Sequence, residues 1–446
     1  MLIALAAPLG AGLFFLLGAL VRPARVRGIA VALTVTALCL FWSRTSPQSV
    51  KDATIAASLL FLALTALSPR AHASIRTSIS PLIPLTALFF GCALATTQLT
   101  NPEGVGFLLR LVGLSLLLIT VVGQFTRDDI ASLRRGLIAN GAIQVALGLI
   151  ELLITHRPVL WGYLIYGNGR GLNNENHLLG DAVSRVQGSL GHPIPFSVVI
   201  TIALVLLLVE WKTFSRPWAL LLLALFAASL ILSGSRSGIL AAILGVAYVL
   251  LNGKTLSSRW RGLLAVAAGA AAIALNADSV GATVGELVDS GSFSNRQGNL
   301  SYVPALLARP PWESLWGSGA ATQQLLFDRG LLLNNGLNVV DNQLVTTLAT
   351  QGVVGLVLLV LLVLVGWRST DAAGRAAILP MVVMLFSFDY LAFASMVSIL
   401  IVCLAMPRVE TVPIADDGAC EEGQRASKPM AKMRNINRET IRAIPM

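Results

Sequence analysis

The residues that could do chemistry in this chain of 446 residues stand where apolar runs begin or end. Arg185 leads "RVQGSLGHPIPFS", just ahead of such a run, and Arg236 sits among small residues in "LILSGSRSGILAAILGV". A guanidinium is planar, permanently charged and forked, so it suits phosphate oxygens in two-point contacts. In a partly dehydrated mouth each such contact is worth more than on an open surface. Asp341 opens another run, "DNQLVTTLATQGVVGL". Its carboxylate could accept the proton of an attacking hydroxyl, although a free aspartate, with a pKa of about 3.9, is a weak base unless desolvated. It could equally cap the helix beginning at Asn342 or Gln343.

Arg296, His192, Asn342, Gln187 and Ser235 complete the group as candidate substrate-binding residues. Arg309 and Arg329 are weaker candidates, because a loop arginine more often meets a lipid headgroup or an ion-pair partner. Asp389, in "FSFDYLAF", is surrounded by apolar residues and either pairs with an arginine or marks a turn between short spans. Cys39, Cys92, Cys403 and Cys420 show no metal-ligand spacing, and the polar loops contain no Walker loop, HExxH or DxD-like pair. Neither a metal nor a cofactor is expected.

These groups need long apolar elements to carry them. The chain is 55% hydrophobic and only 12% charged, about half the charge of a soluble domain. Its apolar residues fall in blocks separated by short polar punctuation, which predicts an all-α, polytopic membrane protein of about 12–13 transmembrane helices with one large outward-facing loop region. The blocks include 2–20, 29–42, 54–67, 81–95, 107–122, 136–154, 196–209, 218–232, 239–251, 263–275, 343–366, 376–388 and 391–405. The first has arginines after it rather than before it, so it reads as a retained span and not a cleavable signal.

Alternate connections hold the basic residues: Arg22, Arg25 and Arg27; Arg70 and Arg76; Arg127, Arg134 and Arg135; Lys212 and Arg216; Lys254, Arg259 and Arg261; Arg368 and Arg375. By the positive-inside rule these loops and the basic tail are cytoplasmic. That accounts for the net charge of +10 without a nucleic-acid partner. The loops 156–195 and 276–341 and the turn at 233–238 then face outward, which sets Arg236 at the outer edge of the bilayer. The expected organisation is N-terminal transmembrane helices over 1–135, a transmembrane core with both outer loops over 136–406, and a cytoplasmic basic, disordered tail over 407–446.

Four stretches, in order, resemble the O-antigen ligase and O-antigen (exopolysaccharide) polymerase superfamily of bacterial membrane glycosyltransferases. They are "RVQGSLGHPIPFS" (Arg185–Ser197), "LSGSRSGILA" (Leu232–Ala241), "SNRQGNLSYVPALLARPPWESLWGSGA" (Ser294–Ala320) and "DNQLVTTLATQGVVGLVLL" (Asp341–Leu359). Two departures stand out. Ile194 replaces the asparagine that usually follows His-Pro, and Asp341 stands where ligases usually carry the histidine taken as general base. Aspartate there looks more like the polymerases.

The resemblance implies a metal-independent, inverting glycosyltransferase of the bacterial cytoplasmic (inner) membrane, with its active site facing the periplasm or cell exterior. The donor it implies is an undecaprenyl-diphosphate-linked oligosaccharide, and the acceptor a second glycan-bearing lipid. Membrane lipids are further partners, with room for a chain-length regulator. Arg185 and Arg236 would hold the diphosphate, Arg296 would assist, and Asp341 would be the base. The alternatives are a ligase joining the glycan to lipid A–core or to protein, and, from another class, a lipid-linked glycan flippase or anion transporter. Transporters concentrate polar groups near the bilayer midplane, whereas here they cluster at helix mouths.

Overall fold

The computed structural model describes residues 25–67, 80–163, 175–176, 178–252, 297–333 and 339–408. The predicted spans at 2–20 and 263–275, Arg296 and the basic tail lie outside the described residues. What is described is a polytopic all-α membrane protein. Its helices are α1 (Val26–Phe41), α2 (Gln48–Leu67), α3 (Leu82–Thr100), α4 (Val105–Val122), α5 (Arg127–Ile150), α6 (Pro193–Val209), α7 (Arg216–Leu232) and α8 (Arg236–Leu251), followed by α9 (Val303–Leu307), α10 (Pro311–Trp316), α11 (Gln323–Asp328), α12 (Gln343–Ser369), α13 (Ala372–Met384) and α14 (Ala394–Ala405). A short antiparallel ribbon, β1 (Glu175–Asn176) and β2 (Gly180–Ser184), lies between α5 and α6.

Among the described residues, five helical segments are long and apolar enough to cross a membrane, and six shorter apolar helices accompany them. Two helices form the centre. α6 is buried continuously from Pro193 to Leu207 and α14 from Ala394 to Ala405. A helix that is apolar all round belongs inside a bundle. Around α6 pack α5, α7, α8 and α13, while α14 contacts α4 and α12. Lipid tails are as apolar as leucine, so helices in a bilayer associate through close packing rather than burial from water. Gly141 of α5 shows this: a Cβ there would come within 2.3 Å of the Ala203 methyl of α6.

The helix ends are fixed by specific polar contacts. α5 begins with a capping box, in which Thr126 accepts from the Asp129 N–H and the Asp129 carboxylate accepts from the Thr126 N–H. Nearby, Arg134 meets Asp371 at 2.7 Å and Glu210 at 3.3 Å. This ion triad ties the start of α5 to the end of α6 and the start of α13, at the end of the bundle away from the long loops.

Three spans differ from their predicted form. α12 is broken at Gly352, where φ is +65° and ψ −166°, although the apolar pattern runs straight through. The predicted span 376–388 is displaced four residues toward the N-terminus as α13 and 391–405 shortens to α14, leaving 385–393 as a polar-bonded turn, with the Leu385 carbonyl accepting from the Gln343 N–H. Both differences come from tertiary hydrogen bonds, which hydropathy does not register.

Candidate active site

The motif from Ser233 to Gly238 is local backbone engineering around one charge. The Ser233 hydroxyl donates to the Leu230 carbonyl and accepts from the Ser235 N–H, closing α7. Gly234 turns the chain at φ +60°. The Ser235 hydroxyl accepts from the Gly238 N–H and is the N-cap of α8, so this buried side chain is committed to the helix. Arg236 is then the first helical residue, half-buried, and among the described residues its guanidinium has no hydrogen-bond or ion-pair partner.

Arg185 reaches the same turn from the ribbon. Its Nε donates to the Ser233 carbonyl at 3.0 Å. The ribbon is held there by Asn176, whose Nδ2 lies 3.1 Å from the carbonyls of both Ile231 and Leu232, and by the Val186 N–H on Leu232. A Cβ on Gly234 would sit 3.0 Å from Asn176 Oδ1 and 3.1 Å from Arg185 Cγ, so glycine answers both backbone and space. The two arginines selected from the sequence therefore share one helix mouth. Arg185 also lines a cavity of about 240 Å³ with Glu151, His156 and Tyr163.

The next residues are structural in large part. The backbone N–H groups of Gln187 and Gly188 donate to Glu151 Oε2 at 3.2 and 2.8 Å. The Gln187 side chain is fully buried, and among the described residues neither of its amide atoms has a hydrogen-bond partner. His192 caps α6, its Nδ1 accepting from the Ile194 N–H at 3.1 Å. Its ring faces Phe388, centroids 6.0 Å apart, which places it beside the turn carrying Asp389.

At the mouth of α12 the capping role falls to Asn342, not Asp341. Asn342 Oδ1 accepts from the N–H groups of Leu344 and Val345, and the residue is 1% exposed. Asp341, half-buried, stands just outside. Gln343 ties this mouth to the 385–393 turn: its N–H donates to Leu385, its Oε1 accepts from the Leu391 N–H, and its Nε2 donates to Thr347. The turn brings Asp389 into the electrostatic reach of Asp341. Burial pushes the Asp389 carboxyl up to about 7, with Arg44 pulling it down and Asp341 adding to the rise. Its Oδ2 accepts from Gln323 at 3.4 Å, and among the described residues its buried Oδ1 has no hydrogen-bond partner.

The remaining arginines resolve differently. Arg309 is 6% exposed and spends its donors on the carbonyls of Leu306, Leu348 and Ala349 and on Ser318 Oγ, all within 3.0 Å. Arg329 pairs with Glu313 at 3.0 Å. Both have structural partners, and Arg296 lies outside the described residues. Sequence reasoning passed over Gln343, Asn176, Glu151 and Arg44. Glu151 did carry a signal, a carboxylate inside an apolar run, which in a membrane protein asks for a partner. Among the described residues no cluster of His, Cys, Asp and Glu could hold a metal ion.

Comparison with known proteins bears on this arrangement. Residues 219–360 match the family described as O-Antigen ligase, a segment that runs from α7 through the broken helix α12. It takes in Arg236, Arg309 and Asp341, while Arg185 and Asp389 fall on either side of it. No curated protein matches the chain.

Proposed function

Starting from that match to the O-antigen ligase family, we propose that the chain is a membrane glycosyltransferase acting on polyprenyl-diphosphate-linked glycan, and that it extends the glycan as a polymerase. The observation that carries the reading is the shared mouth of α7 and α8. There a half-buried Arg236 without a protein partner among the described residues stands next to Arg185, with a carboxylate pair at the mouth of α12. Arginines suit the diphosphate, and a base suits the incoming hydroxyl.

The bond broken joins the anomeric carbon to a diphosphate oxygen. Negative charge grows on that oxygen as the bond lengthens. Guanidinium groups already fixed around it favour the transition state over the ground state. The attacking hydroxyl of the acceptor sugar gives its proton to Asp341. Asp341 alone would be a weak base, and the Asp389 carboxyl, which burial pushes up to about 7, stands within its electrostatic reach. Attack opposite the leaving group inverts the anomeric centre. Arg296 assists at the diphosphate. The site faces the periplasm.

Arg236→Ala and Arg185→Ala should each cut product formation by about 10²–10³ at unchanged protein level, the usual cost of one such donor. The check is extension of a lipid-linked oligosaccharide by purified protein in detergent. Full activity of Arg236→Ala would overturn the donor-site assignment. Asp341→Asn should be severely impaired and Asp341→His tolerated. The second reading, transfer of finished glycan to lipid A–core or protein, is favoured by the match of residues 219–360 to the O-antigen ligase family. A deletion strain separates them on a gel: loss of a polymerase leaves single repeats on the acceptor, and loss of a ligase strands long glycan on the carrier lipid.

A further inference from the structure

The short helices α9 and α10 differ on their two sides. Inward, Leu306 joins the cluster built on Val345, Leu348 and Ala349 of α12. Outward, Leu307, Trp312 and Leu315 are about half exposed, and the Trp312 and Trp316 rings pair with centroids 5.7 Å apart. The Ser314 hydroxyl donates to the Leu307 carbonyl at 3.0 Å, which holds the end of α9 against α10 and groups these side chains into one face. A grouped apolar face on a surface marks a contact with something apolar.

Helix lengths say at what depth that face lies. α6 ends at Glu210 and α12 just before Asp371, and both residues belong to the Arg134 triad, so both helices start from one level. α6 has 17 residues and α12 beyond Gly352 is equally long, which at 1.5 Å per residue puts the α6 mouth and the break about 25 Å from the triad. The hydrocarbon of a bilayer is about 30 Å thick. The break therefore stands close to the opposite boundary of the hydrocarbon, where tails give way to headgroups.

α10 is pinned at that boundary. A Cβ on Gly352 would lie 2.2 Å from the Leu315 carbonyl oxygen, so α10 crosses α12 at its break. Just beyond α10, the Ala320 N–H donates to Thr97 Oγ1 at 2.8 Å and Asn101 Nδ2 donates to the Ala320 carbonyl at 3.2 Å, which fastens the segment to the last turn of α3. Leu99 on that turn, and Val357 and Val360 of α12, are exposed on helices long and apolar enough to span. The open face of α10 thus continues the lipid-facing surface of two spans. Charge plays no part in it, because Arg309 is committed inward and Arg329 to Glu313.

We propose that the face bearing Leu307, Trp312 and Leu315 is a lipid-contact surface, seated among the headgroups of the leaflet around the α6 mouth, and not part of a lid free in water. Tryptophan suits that level, since its ring is apolar and its N–H polar. The placement follows from lengths and exposure and is independent of the reaction proposed above.

The test places nitroxide labels at Leu307→Cys, Trp312→Cys and Leu315→Cys, one per copy, in a parent whose native cysteines are replaced. Each protein is put into phosphatidylcholine nanodiscs, and collision of the label with oxygen and with a water-soluble nickel chelate is measured. The ratio of oxygen to nickel collision should be about threefold or more above that of a label at Arg157→Cys, as for side chains lying in the interface. Ratios equal to that at Arg157→Cys would overturn the proposal and leave the segment in water. Low collision with both reagents would overturn it too, with protein such as a second copy covering the face. With native cysteines in place, the share of tryptophan emission quenched by dibrominated phosphatidylcholine should fall in the double variant Trp312→Phe, Trp316→Phe; an unchanged share would count against the lipid contact in the same way.

Discussion

Asp389 holds a proton that an unfolded chain would have released. Its pKa, about 7, is raised first by burial; Arg44 opposes the rise, Asp341 adds to it, and Thr346 and Gln323 lie close by. Because the folded value exceeds the unfolded one, the contribution to stability is fully present below pH about 4 and is lost as pH climbs to 7. Asp389→Asn should therefore flatten the fall in melting midpoint over that window, measured in detergent. The same variant should remove an acid limb near pH 7 from the rate profile of lipid-linked glycan extension. An unchanged limb would assign the titration to another group. From the sequence, Asp389 was legible as an anomaly only. Nothing in "FSFDYLAF" shows that Gln343, far back in the chain, fixes this turn against the mouth holding Asp341.

α12 owes its shape to what fills its break. At Gly352 the helical ladder is interrupted, and the carbonyls freed just before it find other donors. Arg309 takes Leu348 and Ala349, the Ser318 N–H also takes Ala349, and the Gly319 N–H takes Thr350. Gly317 and Gly352 permit the approach, since a Cβ on either would lie within 2.4 Å of backbone across the contact. Arg309→Met should cost about 3 kcal/mol, the loss expected when buried carbonyls lose charged donors. Gly352→Ala should be at least as damaging, because it adds a steric clash to a positive φ. Denaturation midpoints in detergent would measure both, and wild-type stability of Arg309→Met would contradict the account. The spans themselves were largely readable, because hydropathy is a local property. The break was not, since apolar residues continue on both sides of it. Arg309 looked like any loop arginine until the carbonyls it satisfies, some forty residues on, were in view.

Across the whole molecule, polar bonding concentrates at two ends. One end holds Arg185, Arg236, His192, Asp341, Asp389 and Arg44, linked through the turns at 233–235 and 385–393. The other holds the triad of Arg134 with Glu210 and Asp371. The distribution of basic residues predicts that the first end is outside. In a parent whose native cysteines are replaced, Arg157→Cys should react with a membrane-impermeant maleimide on intact cells, and Ser215→Cys only after lysis. The reverse pattern would invert the orientation and remove the substrate reading with it. The three bonds made by Gln343 have a further consequence during synthesis. A nascent chain that has inserted only as far as α12 carries its first carboxylate without its second. The two carboxylates come together only once the stretch after α13 has followed α12 into the bundle, so on the proposed function a copy stalled before that stretch would be inert.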